Sequence, residues 1–284
     1  MNHRAEIALH QYLEKVVNGK GGISQDVSSQ ISKDVYEAVL KQFGSNKPTD
    51  FKLRMSNVGR PYCQLWFEKN KPETALPKPT TFVMNMLLGD IVEAVFKGLL
   101  KEAGVEYKDS DSVALALEDA SIKGTYDIAI DGSVDDIKSA SDWSFKHKFE
   151  SFDKLKDGDA FGYIGQLAGY SKASGLKAGG WWVINKANGD FKYVPANNID
   201  VETEVKNIQN IYDKLKINKF ERCFEAEVET FRGKPTGNKV LGTTCSFCDY
   251  RYACWPTLQE LPAVKSQAKE PKIMKYVELA QEYR

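Results

Sequence analysis

Three closely spaced cysteines near the C-terminal end constrain this chain more than any other feature. Residues 243–256 read TTCSFCDYRYACWP, so Cys245, Cys248 and Cys254 form a Cys-x2-Cys-x5-Cys pattern. Clustered cysteines that are kept reduced more often bind a metal or do chemistry than form disulfides. Such a cluster would need a fourth ligand from elsewhere in the chain, and the spacing alone does not identify it.

Composition places the chain among ordinary globular proteins. Hydrophobic residues make up 42% of the 284 positions and charged residues 27%. The 39 basic and 39 acidic side chains cancel, so any nucleic-acid binding has to come from local patches. No run approaches the roughly 18–20 apolar residues that cross a bilayer, and residues 1–17 lack the apolar centre of a signal peptide. We therefore expect a cytoplasmic protein with no membrane partner.

Apolar periodicity predicts the secondary structure. Two amphipathic helices parted by NGKGGIS occupy the first 45 or so residues, and a proline-containing connecting piece with Cys63 follows. A helix is predicted over 80–104, and the runs SVALALE, IKGTYDIAID and SVDDIKSA predict strands. A helix over 159–175, a hairpin with ANGD at its tip and a long helix beginning NIDVETEV come next.

This order of elements predicts an α/β fold with one mixed sheet flanked by helices. We divide the chain into an N-terminal helical region over 1–50, a domain over 51–257, and a polar tail over 258–284. The tail is expected to be mobile or loosely docked.

Two carboxylates and a lysine stand out on the strand pair GTYDIAIDGSVDDIKS. Asp136 and Lys138 share a strand face because side chains alternate, and a hairpin can bring Asp127 alongside them. Converging carboxylates repel unless a cation lies between them, and oxygen ligands suit Mg²⁺ or Mn²⁺. The lysine could position or help deprotonate a water, or stabilise charge on a phosphate. The group predicts metal-assisted phosphodiester hydrolysis, whereas a merely solvated strand face is the alternative. Asp135 would point the other way, into solvent.

Two helices could add to this group. Glu93 lies beside the apolar stripe of the helix over 80–104, where an ionised carboxylate needs a partner. It could be a site residue, or it could reach water or pair with Lys97 one turn on. Gln166 and Tyr170 lie one turn apart on a later helix and face the same way, so they could bind a nucleic-acid backbone or support a ligating carboxylate.

Taken in order, these motifs resemble the RecB-like branch of the PD-(D/E)xK nucleases over roughly residues 55–257. The matching pieces are Gly89 to Glu93, Gly124 to Asp127, Asp136 to Lys138, and Gln166 to Tyr170. The branch has a metal-binding histidine where this chain has Glu93, and a carboxylate is also a competent ligand for a hard cation. The resemblance implies a restriction-endonuclease-like fold around the mixed sheet.

The resemblance also implies a role for the cysteines. A subset of the branch, including CRISPR-associated RecB-like exonucleases and the AddB nuclease domain, carries a 4Fe–4S cluster. In this chain Cys63 would join Cys245, Cys248 and Cys254 as its ligands, and the cluster would staple the N- and C-terminal segments together. Zinc bound by the same four cysteines is the alternative, although the solitary Cys63 and the long last spacing favour iron–sulfur. Cys223 lies outside the pattern and is expected to be a small buried hydrophobe.

The activity that the resemblance implies is Mg²⁺- or Mn²⁺-dependent DNA exonuclease cleavage, on single strands or DNA ends, in a bacterial or phage-infected cell. The metal ligands would be Glu93, Asp127, Asp136 and the backbone carbonyl of Ile137. Lys138 would orient the attacking water. Further basic residues could follow the DNA phosphates, namely Lys146, Lys148, Lys214, Lys216 and Lys219. Three aromatic residues could stack on unpaired bases, namely Trp143, Tyr163 and Trp181, although core packing is expected for at least one of Trp181 and Trp182.

Two other classes of function remain open from the sequence. The first is a non-catalytic DNA-binding module that an iron–sulfur or zinc site stabilises. The second is another phosphodiesterase or a redox-sensing protein in which the cluster itself is the active element.

Overall fold

The computed structural model describes residues 3–44 and 50–281. It divides the chain into two compact units. The first unit comprises Leu53–Gly59, Lys78–Asn210 and the described part of Met1–Thr49. The second unit comprises Asp50–Lys52, Arg60–Pro77 and the described part of Ile211–Arg284.

Within the described residues the α-helices are, in chain order, α1 Arg4–Val17, α2 Gln25–Phe43, α3 Tyr62–Asn70, α4 Thr81–Glu102, α5 Phe152–Asp157, α6 Tyr163–Ser174, α7 Val201–Ile217, α8 Thr243–Ser246 and α9 Arg251–Cys254. A 3-10 turn covers Pro72–Thr74, and a short π-helix covers Ser144–Lys148. The strands are β1 Lys108–Ala116, β2 Ser121–Ile130, β3 Ser133–Ala140, β4 Lys177–Asn185, β5 Phe191–Pro195, β6 Glu227–Phe231, β7 Lys234–Val240, β8 Gln259–Pro262 and β9 Ile273–Glu278.

The first unit is built on a five-stranded sheet in the order β1-β2-β3-β4-β5. Strands β3 and β4 run parallel, and the other neighbouring pairs run antiparallel. The predicted mixed sheet of an α/β fold is therefore confirmed. The helices predicted over 80–104, over 159–175 and beginning NIDVETEV are present as α4, α6 and α7, although α6 begins only at Tyr163.

Turn chemistry sets the register of the strands that carry the candidate site. Asp131 and Gly132 join β2 to β3 with φ angles of 52° and 77°. Two residues with positive φ are typical of a type I′ hairpin turn, and Asp-Gly is a favoured sequence for it. The turn pairs Ile128 with Asp135, so Asp127 comes next to Asp136.

A hydrophobic cluster lies on each side of this sheet. One cluster contains Leu167 of α6 together with Trp181 and Val183 of β4. The other contains Phe96 of α4 and Trp182 of β4. Both tryptophans are fully buried, so the expected core role holds for both, and the idea that Trp181 stacks on bases is wrong.

The sheet corrects the expectation that Asp135 faces solvent. Asp135 is 1% exposed and lies on the α4 side of β3, where Tyr193 Oη donates to it at 2.9 Å and Trp182 Nε1 at 3.3 Å. Burial raises the pKa of this carboxyl to about 7, although these two donors oppose the shift. A one-residue step along β3 reverses the face, so Asp135 belongs to the core and its neighbours belong to the opposite side.

The second unit corrects two further expectations. The connecting piece around Cys63 forms α3, whose Leu65 and Phe67 are buried. The expected loose tail supplies β8 and β9 to a four-stranded sheet in the order β6-β7-β9-β8. Tyr276 of β9 is 1% exposed, and its hydroxyl donates to the buried carboxylate of Glu229 at 2.8 Å. This hydrogen bond gives both buried polar groups a partner and holds β9 against the rest of the second unit.

Parts of two predicted segments lie outside the described residues: positions 1, 2 and 45–49 of the N-terminal region, and 282–284 of the tail. Where the chain is described, none of its helices has the length and apolar character needed to cross a membrane.

Candidate functional site

The candidate site is centred on Asp136 and Lys138, whose side chains project from the same face of β3. Asp136 is 3% exposed, Lys138 is 20% exposed, and the Lys138 ammonium lies 2.7 Å from the Asp136 carboxylate. Lys138 donates its hydrogen bond to Oδ1. Burial opposes the charged form of Lys138, but Asp136 and Asp127 outweigh it and raise the pKa of the ammonium. The lysine is therefore a fixed positive charge at the site.

Asp127 meets this pair from β2. Its Oδ2 accepts a hydrogen bond of 2.8 Å from the backbone N–H of Ile137. Burial, followed by the charge of Asp136, raises the pKa of Asp127 to about 7, while Lys138 opposes the shift. The pKa of Asp136 is also raised, chiefly by burial. The two acids are thus adjacent and poorly solvated. The charge of Asp136 makes Asp127 harder to ionise, whereas a hydrogen bond between the two side chains favours the ionised form of Asp136.

Glu93 approaches the same acids from α4. Burial raises its pKa, and the charge of Asp127 adds to the shift. Lys97 pairs with Glu93 at 2.7 Å and with Asp109 at 3.0 Å. Glu93 therefore fills both roles that its sequence position allows: it pairs with Lys97, and its carboxylate is close enough to Asp127 for the two charges to interact.

Gln166 and Tyr170 contact one another on α6, as their spacing predicts. Gln166 Nε2 donates to Tyr170 Oη at 3.4 Å. Burial raises the pKa of Tyr170 to about 12, and the charges of Asp136 and Asp127 reach its hydroxyl. Tyr170 also packs against Gly124 of β2, where an added Cβ would lie 3.0 Å from the tyrosine ring and 2.3 Å from Met55 Cβ. Gly124 therefore lets α6 bring Tyr170 up to the carboxylates.

The chemistry of the donor set fits a divalent cation. Asp136 Oδ2 is buried and lies 2.7 Å from Lys138 Nζ, so the lysine already supplies a positive charge to this oxygen. Three acids whose pKa values are raised by burial share one region, and a cation would remove the cost of ionising them. Across the described chain, no three His, Cys, Asp or Glu side chains are already spaced as a complete metal site. Coordination by these carboxylates, and equally by the four cysteines predicted as ligands, would therefore require side chains to move.

The second unit brings the four predicted cysteine ligands to one cavity. Cys63, Cys245, Cys248 and Cys254 line it together with apolar side chains that include Phe67 and Trp255. Burial, followed by the charges of Cys248 and Cys254, raises the pKa of Cys245 to about 11. Four thiols that line one cavity suit a thiophilic metal or a cluster, which would hold them as thiolates.

Cys223 corrects the expectation of a small buried hydrophobe. It is exposed, and its Sγ accepts a hydrogen bond of 3.0 Å from the backbone N–H of Cys63. The pKa of Cys223 is lowered to about 7, chiefly by a hydrogen bond with the Cys63 thiol. Sequence spacing could not find this neighbour, because 160 positions separate the two residues.

The predicted DNA-binding residues divide between the two units. Lys148, Tyr163 and Trp143 belong to the first unit, and Lys148 Nζ lies 4.5 Å from the centre of the Tyr163 ring. Lys146 also belongs to the first unit, where it pairs with Asp142 at 2.9 Å. Lys214, Lys216 and Lys219 belong to the second unit. The exposed ring of Phe161, beside Lys148, was missed by sequence reasoning, although its position between Gly158 and Gly162 is typical of a loop.

Comparisons with known proteins add little to this description. No family model matches the chain, and neither does any curated protein. Among solved structures, the chain is similar to one described as "Crystal structure of SSO0001", with 14% identity and a TM-score of 0.41. The match covers 81% of this chain and 96% of that one. This TM-score is too low to establish a common fold.

Replacing Gly124 tests how the site is built. We expect Gly124→Ala to lower the free energy of unfolding by about 1–3 kcal/mol, because the new methyl group overpacks Met55 and the Tyr170 ring. Gly89→Ala on α4 is the matched control, since its Cβ would meet nothing within 4 Å and alanine favours a helix. Urea denaturation measures both variants. Equal stabilities for the two would contradict the close approach at Gly124.

Proposed function

We propose that this protein is a metal-dependent deoxyribonuclease of the RecB-like PD-(D/E)xK type, with a restriction-endonuclease-like core, that cleaves single-stranded DNA or DNA ends as an exonuclease. The observation that carries the proposal is the meeting of Asp127, Asp136 and Lys138 at one end of the β2–β3 hairpin, with Glu93 in electrostatic reach. One buried and one half-buried acid beside a charged lysine are an expensive arrangement for a purely structural role.

The residues that would hold Mg²⁺ or Mn²⁺ are Asp127, Asp136 and Glu93, with the backbone carbonyl of Ile137 as the further ligand that the resemblance implies. A bound divalent cation supplies Lewis-acid stabilisation of the phosphate and acidifies a bound water. The Asp136 carboxylate, whose Oδ2 lies 2.7 Å from the Lys138 ammonium, would contribute an oxygen to such a site.

Lys138 would act as a cation in this mechanism rather than as a general base. Its pKa is raised by the charges of Asp136, with which it pairs, and of Asp127, so it stays protonated at neutral pH. An ammonium group there can orient the attacking water by donating to it and can stabilise the negative charge that develops on the phosphate. Tyr170, with Gln166 donating to its hydroxyl, would hold the carboxylates or the scissile strand in place.

Cys63, Cys245, Cys248 and Cys254 would bind a 4Fe–4S cluster that stabilises the second unit. Support comes from their common cavity and from the sequence distance between Cys63 on α3 and the three later cysteines. A metal centre that joins distant segments adds its binding free energy to folding. Zinc is the alternative occupant of the same four thiols.

Substitution of the central residues tests the nuclease proposal. We expect Asp136→Asn and Lys138→Ala each to lower the rate of Mn²⁺-dependent cleavage by at least about 100-fold, the usual scale for losing one charge-stabilising group. End-labelled single- and double-stranded DNA, with and without Mn²⁺, measures rate and polarity together.

The matched controls for this test are Asp111→Asn on β1 and Lys123→Ala on β2, both of which change exposed residues on the same sheet. These variants should cleave like the wild-type protein, and circular dichroism should show that all four variants fold. A wild-type protein that binds DNA but never cleaves it would favour a non-catalytic DNA-binding module. Full activity in Asp136→Asn would exclude the proposed centre.

The cysteine proposal has a spectroscopic test. We expect anaerobically purified protein to be brown, with broad visible absorption and about four iron atoms per chain, because a 4Fe–4S cluster contains four. Cys248→Ser should lose most of the iron and lower the thermal stability. Cys223→Ser should keep the iron, because Cys223 lies outside the assigned ligand set and a serine hydroxyl can still accept the hydrogen bond from the Cys63 N–H. Colourless protein with one zinc ion would identify the other occupant, and equal iron loss in the two variants would contradict the ligand assignment.

A further inference from the structure

An aromatic ring stands in solvent close to the candidate active site. Phe161 is 55% exposed and lies in the loop that leads into α6. The loop is held in place by its backbone: Gly162 has a φ of 76°, and a Cβ added there would lie 2.2 Å from the backbone carbon of Gly59. Asp159 accepts hydrogen bonds of 2.9 Å from the N–H groups of Tyr163 and Ile164. Phe161 is therefore presented by an ordered segment.

Phe161 is the outer end of a row of three stacked rings. Its ring centre lies 5.7 Å from that of Tyr163, with an interplanar angle of 17°. The Tyr163 ring centre lies 5.8 Å from that of Phe149, with an angle of 25°. Phe149 is buried in the core of the first unit, so the row is anchored at its inner end and open at its outer end.

Two ammonium groups lie over this row. Lys148 Nζ is 4.7 Å from the centre of the Phe161 ring and 4.5 Å from that of Tyr163. Lys138 Nζ, the cation of the candidate active site, is 4.9 Å from the same Tyr163 ring. The Tyr163 ring therefore lies between the exposed Phe161 ring and Lys138, at the centre where the phosphodiester would be cleaved.

Lys148 lacks the carboxylate partner that Lys138 has in Asp136. None of the described acids forms a salt bridge with Lys148. Burial lowers the pKa of Lys148, the charge of Lys138 lowers it further, and Asp159 opposes the shift. Two cations near one ring repel each other, and an anion bound to Lys148 would relieve that repulsion.

An exposed aromatic ring beside an ammonium that forms no salt bridge with the described acids matches one chemical class of ligand. A nucleotide offers a base, which stacks on aromatic side chains, and a phosphate, which pairs with lysine. Inside a duplex the base faces are already covered by their neighbours, so only an unpaired base can stack on Phe161.

We propose that Phe161, Tyr163 and Lys148 form a subsite for an unpaired nucleotide adjacent to the one that is cleaved. The base stacks on Phe161, and its phosphate pairs with Lys148. This inference rests on the proposed nuclease function, and it makes Phe161 a determinant of specificity for single-stranded DNA. Duplex ends would enter only after their terminal base pairs open.

Binding measurements test the subsite separately from cleavage. The protein carries Asp136→Asn to prevent cleavage, and fluorescence anisotropy follows a labelled oligothymidine strand and a blunt-ended DNA hairpin. We expect Phe161→Ala to weaken binding of the single strand about 5- to 150-fold, which corresponds to roughly 1–3 kcal/mol of stacking per base. Binding of the hairpin should change less than about twofold, because its bases cannot stack on the ring.

Conservative variants separate stacking from folding and from charge. Phe161→Trp should keep tight binding, whereas Phe161→Leu, which retains apolar bulk without a π-face, should bind as weakly as Phe161→Ala. Lys148→Ala should reduce the steepness of the salt dependence by about one unit of slope, the value for one lost phosphate contact. Tyr36→Ala on α2 removes a ring of similar exposure, 64%, and should bind like the parent.

The two proposals fail in different ways. Unchanged binding in Phe161→Ala, or an equal loss in Tyr36→Ala, would overturn the subsite even if the wild-type protein cleaves DNA. Weakened single-strand binding in Phe161→Ala, in a protein whose wild type never cleaves DNA with Mn²⁺, would support the subsite and reject the nuclease.

Discussion

The electrostatic conflict between Asp127 and Asp136 governs the arrangement of the first unit. Asp136 is buried and Asp127 is half-buried, and both have raised pKa values because the region is poorly solvated. Lys138 compensates part of their charge from the same strand. Such a group is stable only where several elements hold it, since one unpaired buried charge would cost several kcal/mol. The hairpin, α4 and α6 all converge on it.

The fold supplies this convergence by simple geometry. The Asp131–Gly132 turn fixes which residues of β2 and β3 are neighbours, and strand alternation then sends Asp136 and Lys138 to one side and Asp135 to the other. Because Gly124 has no side chain, Tyr170 of α6 can pack close to the acids. Lys97 holds Glu93 on α4 through an ion pair that also includes Asp109. The candidate chemistry therefore depends on backbone register more than on any loop.

Local patterns predicted most of the elements and the candidate acids, because alternation and helical periodicity act over a few residues. The predicted solvent exposure of Asp135 was wrong, since strand alternation separates the two faces of a strand without saying which of them is buried. The prediction of a loose tail was wrong because the segment is docked through Tyr276. Its partner Glu229 lies 47 positions earlier, so the polar local sequence gives no sign of this contact. Cys223 was misassigned for the same reason, as its contact with Cys63 spans 160 positions. Long-range pairing of this kind leaves no local signal.

The most direct measurement of the central claim is a crystal structure of the protein grown with MnCl₂, with anomalous data collected at the manganese edge. The account predicts an anomalous peak about 2.1 Å from oxygens of both Asp127 and Asp136, the distance typical of small hard cations, with the Lys138 ammonium beside it. A peak elsewhere, or two carboxylates that stay bound only to protein groups at saturating Mn²⁺, would contradict it.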